Sequence, residues 1–289
     1  MQKYLSLVKF SHTVFALPFA LLGLTLGLST QADLNWSWAL EKLLWVLVCM
    51  VTARTAAMAF NRWLDRDIDA ANPRTAIREI PAGKVRPAQA LALTLGSAAV
   101  FVFASFQLNA LCGWLSPVAL VVILGYSYTK RFTPLCHLVL GLGLGLAPVG
   151  AYLAVTEAFA VVPVLLGFAV LTWVAGFDII YALQDEAFDR EKGLWSIPSV
   201  LGGPRALGVS RLLHSISFLL MAAVVYLLGA GLLGYLALGV YGTLLVRQQT
   251  LVTPTDLSRV NLAFFTLNGI ASVVFGLLSI GDVVWRYWW

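Results

Sequence analysis

The sequence predicts an all-α integral membrane protein, a bundle of nine transmembrane helices with a central cavity capped by two cytoplasmic loops. The first observation behind this fold class is composition, since 60% of the 289 residues are hydrophobic and 11% are charged. A soluble domain carries about 25% charged residues. The second observation is that the apolar residues are gathered into runs of spanning length, separated mostly by short polar connections.

Nine apolar runs predict spanning helices, because a helix needs about 20 apolar residues to cross the hydrocarbon core. The runs cover 12–30, 40–62, 88–108, 112–129, 135–154, 159–182, 207–228, 231–246 and 263–281. The first is interpreted as a span rather than a signal peptide, since no small-residue cleavage site ends it. Only the connections 63–87 and 183–206 are long and polar, so residues 1–289 are predicted to form a single domain.

The basic residues predict the orientation. With the N-terminus in the cytoplasm, 16 of the 19 Lys and Arg residues fall on the cytoplasmic side, as the positive-inside rule expects. We therefore expect a multi-pass protein of the cell inner (cytoplasmic) membrane, with both long loops on the cytoplasmic side. The net charge of +5 is explained by this topology, so a lipid bilayer is expected around the chain, and neither nucleic acid nor an obligate protein partner is implied.

Each long loop begins with clustered acidic residues. Asn61, Asp65 and Asp69 are spaced i, i+4, i+8 and would share one helix face. Asp185 and Asp189 repeat the i, i+4 spacing on a span that runs parallel to the first, so both clusters reach the same membrane face. Packed carboxylates repel each other unless a cation lies among them, and Mg²⁺ prefers such oxygen ligands. The sequence predicts a magnesium site; the alternative is a solvated loop with local salt bridges.

Basic residues near these acids indicate a metal-bridged diphosphate, because cationic side chains would hold the phosphate oxygens that the metal leaves. The candidates are Arg74 and Arg78 in the first loop, and Lys130 and Arg131 in the turn between the fourth and fifth spans. The alternative for Lys130 and Arg131 is a charge pair that only sets topology.

Four motifs resemble the UbiA-type intramembrane prenyltransferase superfamily, in an order that covers nearly the whole chain. They are Asn61-Arg62-x-x-Asp65-x-x-x-Asp69, RTAIREIPAG at 74–83, YSYTKRFT at 126–133 and YALQD at 181–185. The family shows two aspartate motifs, after the second and sixth of nine helices. The resemblance therefore implies the same helix count and an intramembrane prenyltransferase.

The resemblance further implies Mg²⁺-dependent ionisation of a polyprenyl diphosphate and attack on the carbocation by the ring of a small aromatic acid, which then loses a proton. The metal-holding residues would be Asn61, Asp65, Asp69, Asp185 and Asp189, of which the four aspartates are the predicted catalytic residues. Lys130 and Arg131 would bind diphosphate, and Lys9 stands near the place of a family N-terminal arginine.

Two departures from the family pattern affect these expectations. Arg62 replaces an aspartate of the first motif, so that position is not a metal ligand. Cys136 and His137 follow the Lys-Arg signature where the family often has Gln or Asn, so acceptor recognition is expected to differ. The segment 10–20 and the Asn-Arg start of the first motif resemble a branch linked to menaquinone made by the futalosine route. That branch implies a dihydroxynaphthoate acceptor; the alternative is 4-hydroxybenzoate, in ubiquinone biosynthesis.

Arg54 and Asp178 are charged residues inside predicted spans, where charge indicates function. Arg54 precedes Asn61 by seven residues and Asp178 precedes Asp185 by seven, so both are predicted to face the space beneath the metal site. We expect Arg54 to bind the acceptor's carboxylate, since its planar fork matches that group; the alternative is an Arg54–Asp178 ion pair.

Three further residues complete the predicted acceptor-binding set with Arg54 and Asp178. Tyr126 and Tyr181 are candidates to shield the carbocation or simply to pack. His137 is the histidine expected to reach the acceptor.

Other interpretations are weaker. A transporter would also place charges inside a bundle, but the predicted midplane is nearly uncharged. A CDP-alcohol phosphotransferase needs an Asp-Gly pair, which this chain lacks. Gly141, Gly143 and Gly145 are predicted to allow close helix packing rather than to form a nucleotide loop.

Overall fold

The computed structural model describes residues 6–7 and 15–288, and within them it is helical, without a β-strand and with one isolated bridge. The α-helices, numbered in chain order, are α1 Leu17–Leu28, α2 Trp36–Leu64, α3 Arg66–Ala71, α4 Pro87–Leu108, α5 Ala110–Thr129, α6 Cys136–Thr156, α7 Val161–Ala182, α8 Glu186–Glu191, α9 Ile197–Leu201, α10 Gly203–Leu227, α11 Leu232–Leu251 and α12 Asn268–Trp288. A 3₁₀ turn, Leu183–Asp185, precedes α8, and a π-helix, Leu262–Leu267, precedes α12. The predicted all-α fold class is confirmed.

Seven helical segments of the described chain are long and apolar enough to cross a membrane, which makes this a multi-pass membrane protein. They contain α2, α4, α5, α6, α7, α10 and α12. Every predicted span overlaps a helix, but α1 is described over only 12 residues and α11 does not belong to the seven. The count of nine spans therefore stays a prediction.

The first acidic motif lies where α2 ends. The α2 helix begins at an Asn35 cap, whose Oδ1 accepts hydrogen bonds from the backbone N–H groups of Ser37 and Trp38 at 3.0 and 3.2 Å. It stops at Leu64, and Asp65 adopts φ −90° and ψ 7° before the short α3. The motif is therefore not one continuous helix as predicted. Backbone hydrogen bonds from Asp65 to Asn61 and from Asp69 to Asp65 nevertheless keep the i, i+4 register.

Glycines bring α6 close to α7. A Cβ at Gly141 would lie 2.3 Å from the carbonyl oxygen of Leu171, and one at Gly145 would lie 2.5 Å from that of Gly167. The predicted packing role is confirmed at these two positions, because no larger residue fits there. Gly143 instead lines a cavity.

The two sides of the bundle are packed differently. Around α7, α10, α11 and α12, buried aromatic residues that include Trp173, Tyr241 and Phe275 fill the interior. Their polar atoms are bonded, since Trp173 Nε1 donates to Asn268 Oδ1 at 3.1 Å and Tyr241 Oη lies 2.7 Å from Ser217 Oγ. Space remains between α2, α4, α5 and α6. A cavity is therefore present among the described helices, lined mainly by α2, α4, α5 and α6, and its central position stays a prediction.

Candidate active site

Both acidic motifs and both long loops meet at one end of the bundle, hereafter the acidic face. Asn72 Nδ2, in the first loop, donates to Asp185 Oδ1 at 2.9 Å, and Arg74 Nε donates to the same oxygen at 2.9 Å. Arg74 Nη2 donates to the other carboxylate oxygen. The first loop thus contacts the second acidic motif directly, as the parallel directions of α2 and α7 predict.

Asp65 is the most heavily contacted acid of the first motif. It is 3% exposed and lies 2.9 Å from Arg131 Nη2 and 3.5 Å from Lys130 Nζ. Asn61 Nδ2 donates to Asp65 Oδ2 at 2.9 Å and is also 3.3 Å from Ser127 Oγ. The turn between α5 and α6 therefore delivers the predicted diphosphate-binding cations onto the predicted metal ligands.

Asp69 has one oxygen satisfied and one not. Its Oδ1 lies 2.6 Å from Arg78 Nη1, and its backbone carbonyl accepts a hydrogen bond from Thr75 Oγ1 at 3.1 Å. Its Oδ2 is buried and has no hydrogen-bond partner in the described part of the chain. A buried carboxylate oxygen left in this way is costly, so this atom is a natural ligand for a cation.

Arg74 joins the second motif to an aromatic cluster. Its Nη1 donates to Tyr181 Oη at 3.1 Å, and its guanidinium lies 5.3 Å from the centre of the Tyr181 ring. Burial alone would lower the pKa of Arg74, but the hydrogen bonds and charge of Asp185 and Tyr181 outweigh it, so the pKa is raised. Tyr181 also packs on Phe264 at 4.2 Å between ring centres, so it serves packing and Arg74 orientation together.

The second loop folds back over Lys130. The backbone N–H of Trp195 donates to the Lys130 carbonyl at 2.7 Å, and that of Leu194 donates to the Asp189 carbonyl at 2.8 Å. Ser196 caps α9 by accepting a hydrogen bond from the Ser199 N–H at 3.2 Å. The buried Asp189 is held by these turns next to the cations of the α5–α6 turn.

The donor set at the acidic face suits Mg²⁺. Within the described ranges, no three His, Cys, Asp or Glu side chains lie close enough to share one ion. Magnesium, however, is commonly held by one or two carboxylates together with substrate phosphates and water. The orphaned Asp69 Oδ2 and the paired Asp65 meet that requirement in the first motif, and Asp185 with Asp189 in the second. Which residues hold metal remains a prediction.

A cavity of about 370 Å³ lies between α2, α4, α5 and α6. Its walls are mainly Leu, Val, Ala, Met and Phe side chains. Of the described residues that line it, Arg54 alone is charged, and Tyr126 lies beside it at the end nearest Asn61. Such a cavity suits an apolar substrate chain, with one anionic group bound beside that chain at Arg54.

The buried His137 of α6 and the partly buried Asp178 of α7 form a pair. His137 Nδ1 lies 2.7 Å from Asp178 Oδ2, and the backbone N–H of Ile197 donates to His137 Nε2 at 3.3 Å. The Nε2 atom is therefore an acceptor, and Nδ1 carries the proton that is donated to Asp178. No ion pair between Arg54 and Asp178 occurs among the described side chains, so that alternative is wrong. His137 has both nitrogens engaged and supports the site through Asp178 and α9.

Some contacts could not be read from the motifs. Lys9, predicted to bind diphosphate, lies outside the described residues. Asn72, which bonds Asp185, was missed, although the Asn-Pro turn signal directly after the first motif could have drawn attention to it. Ser127 and Ser196 were missed as well, because an isolated serine carries no signal of its own.

Comparisons with known proteins agree with this geometry. The UbiA prenyltransferase family profile matches residues 16–270. The 4-hydroxybenzoate octaprenyltransferase of Aeromonas salmonicida is 32% identical over 238 residues, covering 80% of this chain and 81% of the relative. That of Serratia proteamaculans is 33% identical over 226 residues, covering 77% and 76%.

Solved structures give the same result. The apo structure of a UbiA homolog from Aeropyrum pernix K1 has a TM-score of 0.83 and 34% identity, and the match covers 94% of this chain and 98% of that one. A UbiA homolog from Archaeoglobus fulgidus bound to GPP and Mg²⁺ has a TM-score of 0.74 at 20% identity, covering 97% and 99%, which shows the fold alone. The transporter interpretation is wrong, because the chain belongs to the UbiA prenyltransferase family and is a polyprenyltransferase.

Proposed function

We propose that this enzyme transfers a polyprenyl group from its diphosphate to the ring of 4-hydroxybenzoate, with Mg²⁺, at the cytoplasmic face of the inner membrane. The observation that carries the proposal is Arg54 of α2, the helix that ends at the first acidic motif, because it is the one charged described residue in the wall of an apolar cavity. The relatives named 4-hydroxybenzoate octaprenyltransferase favour this acceptor over the dihydroxynaphthoate that the sequence motifs alone suggested.

The acidic face supports diphosphate binding. Lys130, Arg131, Arg74 and Arg78 lie directly on the carboxylates of the two motifs. These ion pairs hold the cations in place and can be exchanged for contacts with phosphate oxygens, which charged donors bind strongly. When bound at Asn61, Asp65, Asp69, Asp185 and Asp189, Mg²⁺ would neutralise the phosphate oxygens and so favour departure of diphosphate. A UbiA homolog of the same fold was solved with GPP and Mg²⁺ bound, and a donor diphosphate with Mg²⁺ is what we propose for this chain.

The acceptor is proposed to lie between the cavity and the carboxylates. Arg54 would bind its carboxylate through two parallel hydrogen bonds. Tyr126 is close enough to interact electrostatically with both Arg54 and Asp178. The Asp178 carboxylate, oriented by His137 at 2.7 Å, is then available to accept a hydrogen bond from the phenolic hydroxyl.

The transfer balances without any further reactant. The bond between the allylic carbon and the diphosphate oxygen breaks, and its electron pair leaves with the diphosphate. A ring carbon of the acceptor forms the new carbon–carbon bond, and the proton on that carbon passes to the released diphosphate, which restores aromaticity. The chain contributes by placing the two reactants side by side and by lining the cavity with apolar side chains that exclude water from the carbocation.

The proposal is tested by offering 4-hydroxybenzoate and 1,4-dihydroxy-6-naphthoate separately to purified enzyme in detergent, with Mg²⁺ and a radiolabelled polyprenyl diphosphate. We expect lipid-soluble product carrying the aromatic acid with 4-hydroxybenzoate, and none with the Asp65→Ala variant. The Arg66→Gln variant is the matched control, because Arg66 is a partly exposed neighbour whose one ion pair among the described residues is with Asp67 at 3.6 Å. Product with the naphthoate alone would overturn the acceptor assignment.

A further inference from the structure

Arg62 is a buried charge whose role the motifs do not explain. It stands where the family pattern has an aspartate, and it is 5% exposed. In the described part of the chain, its side chain makes a single hydrogen bond, from Nη1 to Asn61 Oδ1 at 3.4 Å, and its Nε is buried without a partner. A buried guanidinium held so weakly is unfavourable unless something compensates its charge.

The neighbours of Arg62 do not supply that compensation directly. Asp69 and Glu79 are close enough to interact with it electrostatically, but no carboxylate of the described residues forms an ion pair with it. Arg78 lies nearby and repels it, and Tyr126 of α5 is also close enough to interact with it electrostatically. Two guanidinium groups in one buried region, one of them without an ion pair, favour an anion as the missing partner.

The other cations of the acidic face differ from Arg62. Arg74, Arg78, Lys130 and Arg131 each contact a carboxylate within 4 Å, and they are partly accessible. Of the described cations there that are not exposed to solvent, Arg62 is the one without such a contact. It is therefore the cation that can take up an anion without first giving up an ion pair.

The position of Arg62 indicates which anion this is. Arg62 directly follows Asn61 and precedes Asp65 by three residues, so it belongs to the motif at which the donor's diphosphate is proposed to bind. A guanidinium fork matches two phosphate oxygens. Exchanging an acid for a base at this position also changes the local charge from −1 to +1 relative to the family pattern.

We propose that Arg62 is a diphosphate-binding residue that supplies, from the chain itself, part of the positive charge that divalent cations otherwise provide. The inference rests on the proposed function, since it takes the acidic face as the donor site. Its consequence is that this enzyme binds a diphosphate measurably in the absence of divalent cations.

A purely structural role makes a different prediction. The orphaned Asp69 Oδ2 is also near Arg62, and a water molecule between the two would let Arg62 simply hold that carboxylate. In that case, removing the guanidinium would lower stability and disturb metal binding, but it would leave metal-free diphosphate binding unchanged.

The test is equilibrium dialysis of radiolabelled inorganic diphosphate against the purified full-length enzyme in EDTA. Wild type, Arg62→Gln and Arg66→Gln are compared, and thermal unfolding checks that each variant is folded. We expect the wild type and Arg66→Gln to bind equally, and Arg62→Gln to bind about 10-fold or more weakly, as the loss of a hydrogen bond to a charged group predicts. A second readout is the Mg²⁺ concentration at half-maximal transfer, which Arg62→Gln should raise, because it removes the positive charge without adding a metal ligand.

Equal affinities of Arg62→Gln and wild type would overturn the proposal, and so would wild-type enzyme that binds diphosphate only with Mg²⁺. If Arg62→Gln does not fold, Arg62→Lys replaces it. Because lysine offers a point charge in place of the guanidinium fork, this variant should bind diphosphate with intermediate affinity. Wild-type affinity of Arg62→Lys for diphosphate would count against the proposal. If Arg62→Gln loses diphosphate binding and the wild-type enzyme prenylates neither aromatic acid, the proposed acceptor is wrong and the Arg62 assignment still holds.

Discussion

The sharpest prediction concerns Arg54→Leu, because this change removes the one charge in the described cavity wall and keeps the wall apolar. A hydrogen bond to a charged group contributes about 1.5–3 kcal/mol, which corresponds to about a 10- to 140-fold change in an equilibrium constant. If Arg54 binds the acceptor's carboxylate, the KM for 4-hydroxybenzoate should rise by roughly this factor. The KM for the polyprenyl diphosphate should stay the same, because its charged group is bound at the acidic face.

The assay compares 4-hydroxybenzoate with its uncharged methyl ester as acceptors. Wild-type enzyme should prefer the acid, and Arg54→Leu should lose most of that preference. Ser116→Ala is the matched control, since Ser116 lines the same cavity and its hydroxyl donates within its own helix to the Gly113 carbonyl at 2.7 Å. Equal increases in the KM of donor and acceptor, or an unchanged preference for the acid, would refute the reasoning.

Three further outcomes are expected. Gly141→Ala should destabilise the enzyme by about 1–3 kcal/mol, because the new Cβ would lie 2.3 Å from the Leu171 carbonyl oxygen. Thermal unfolding in detergent measures this loss of stability. Gly125→Ala is the control and should unfold like wild type, because its new Cβ would meet no atom within 4 Å. EDTA should abolish transfer until Mg²⁺ is restored, with only a small drop in unfolding temperature, because Asp65 and one oxygen of Asp69 keep their arginine partners while Asp69 Oδ2 loses the metal. A large drop would contradict this. His137→Leu should lower acceptor turnover but not diphosphate binding. His137→Gln should partly restore turnover, because an amide can donate a hydrogen bond to Asp178. Equal turnover of the two variants would argue against the role of His137 in orienting Asp178.

The helix bounds were predicted accurately where local sequence signals mark both ends of a helix. The predicted run 88–108 became α4 Pro87–Leu108, because proline suits a first helical position and Asn109 breaks the helix. The run 231–246 became α11 Leu232–Leu251. Apolarity stops at Arg247, but Gln248 is buried with its Nε2 donating to the Ala263 carbonyl at 2.7 Å. A window of hydropathy does not detect a polar side chain that is bonded to another helix.

The residues of the candidate site were also predicted only in part. Spacing alone placed Asn61, Asp65 and Asp185 at one end of the bundle, because helix periodicity and span direction are local properties. The partner of Asp178 could not be predicted, since its contact with His137 joins residues 41 positions apart. That contact depends on the register of α6 against α7, which is determined by glycines packed on carbonyl groups and leaves no pattern in either helix alone.

The proposed carbon–carbon bond to the ring of 4-hydroxybenzoate is tested most directly by mass spectrometry of the lipid product made from fully ring-deuterated 4-hydroxybenzoate, polyprenyl diphosphate and Mg²⁺. We expect a product that carries one prenyl chain, has lost one ring deuterium and retains its carboxylate. A product that keeps every ring deuterium would show transfer to oxygen instead, and the absence of any prenylated acid would contradict the proposed acceptor.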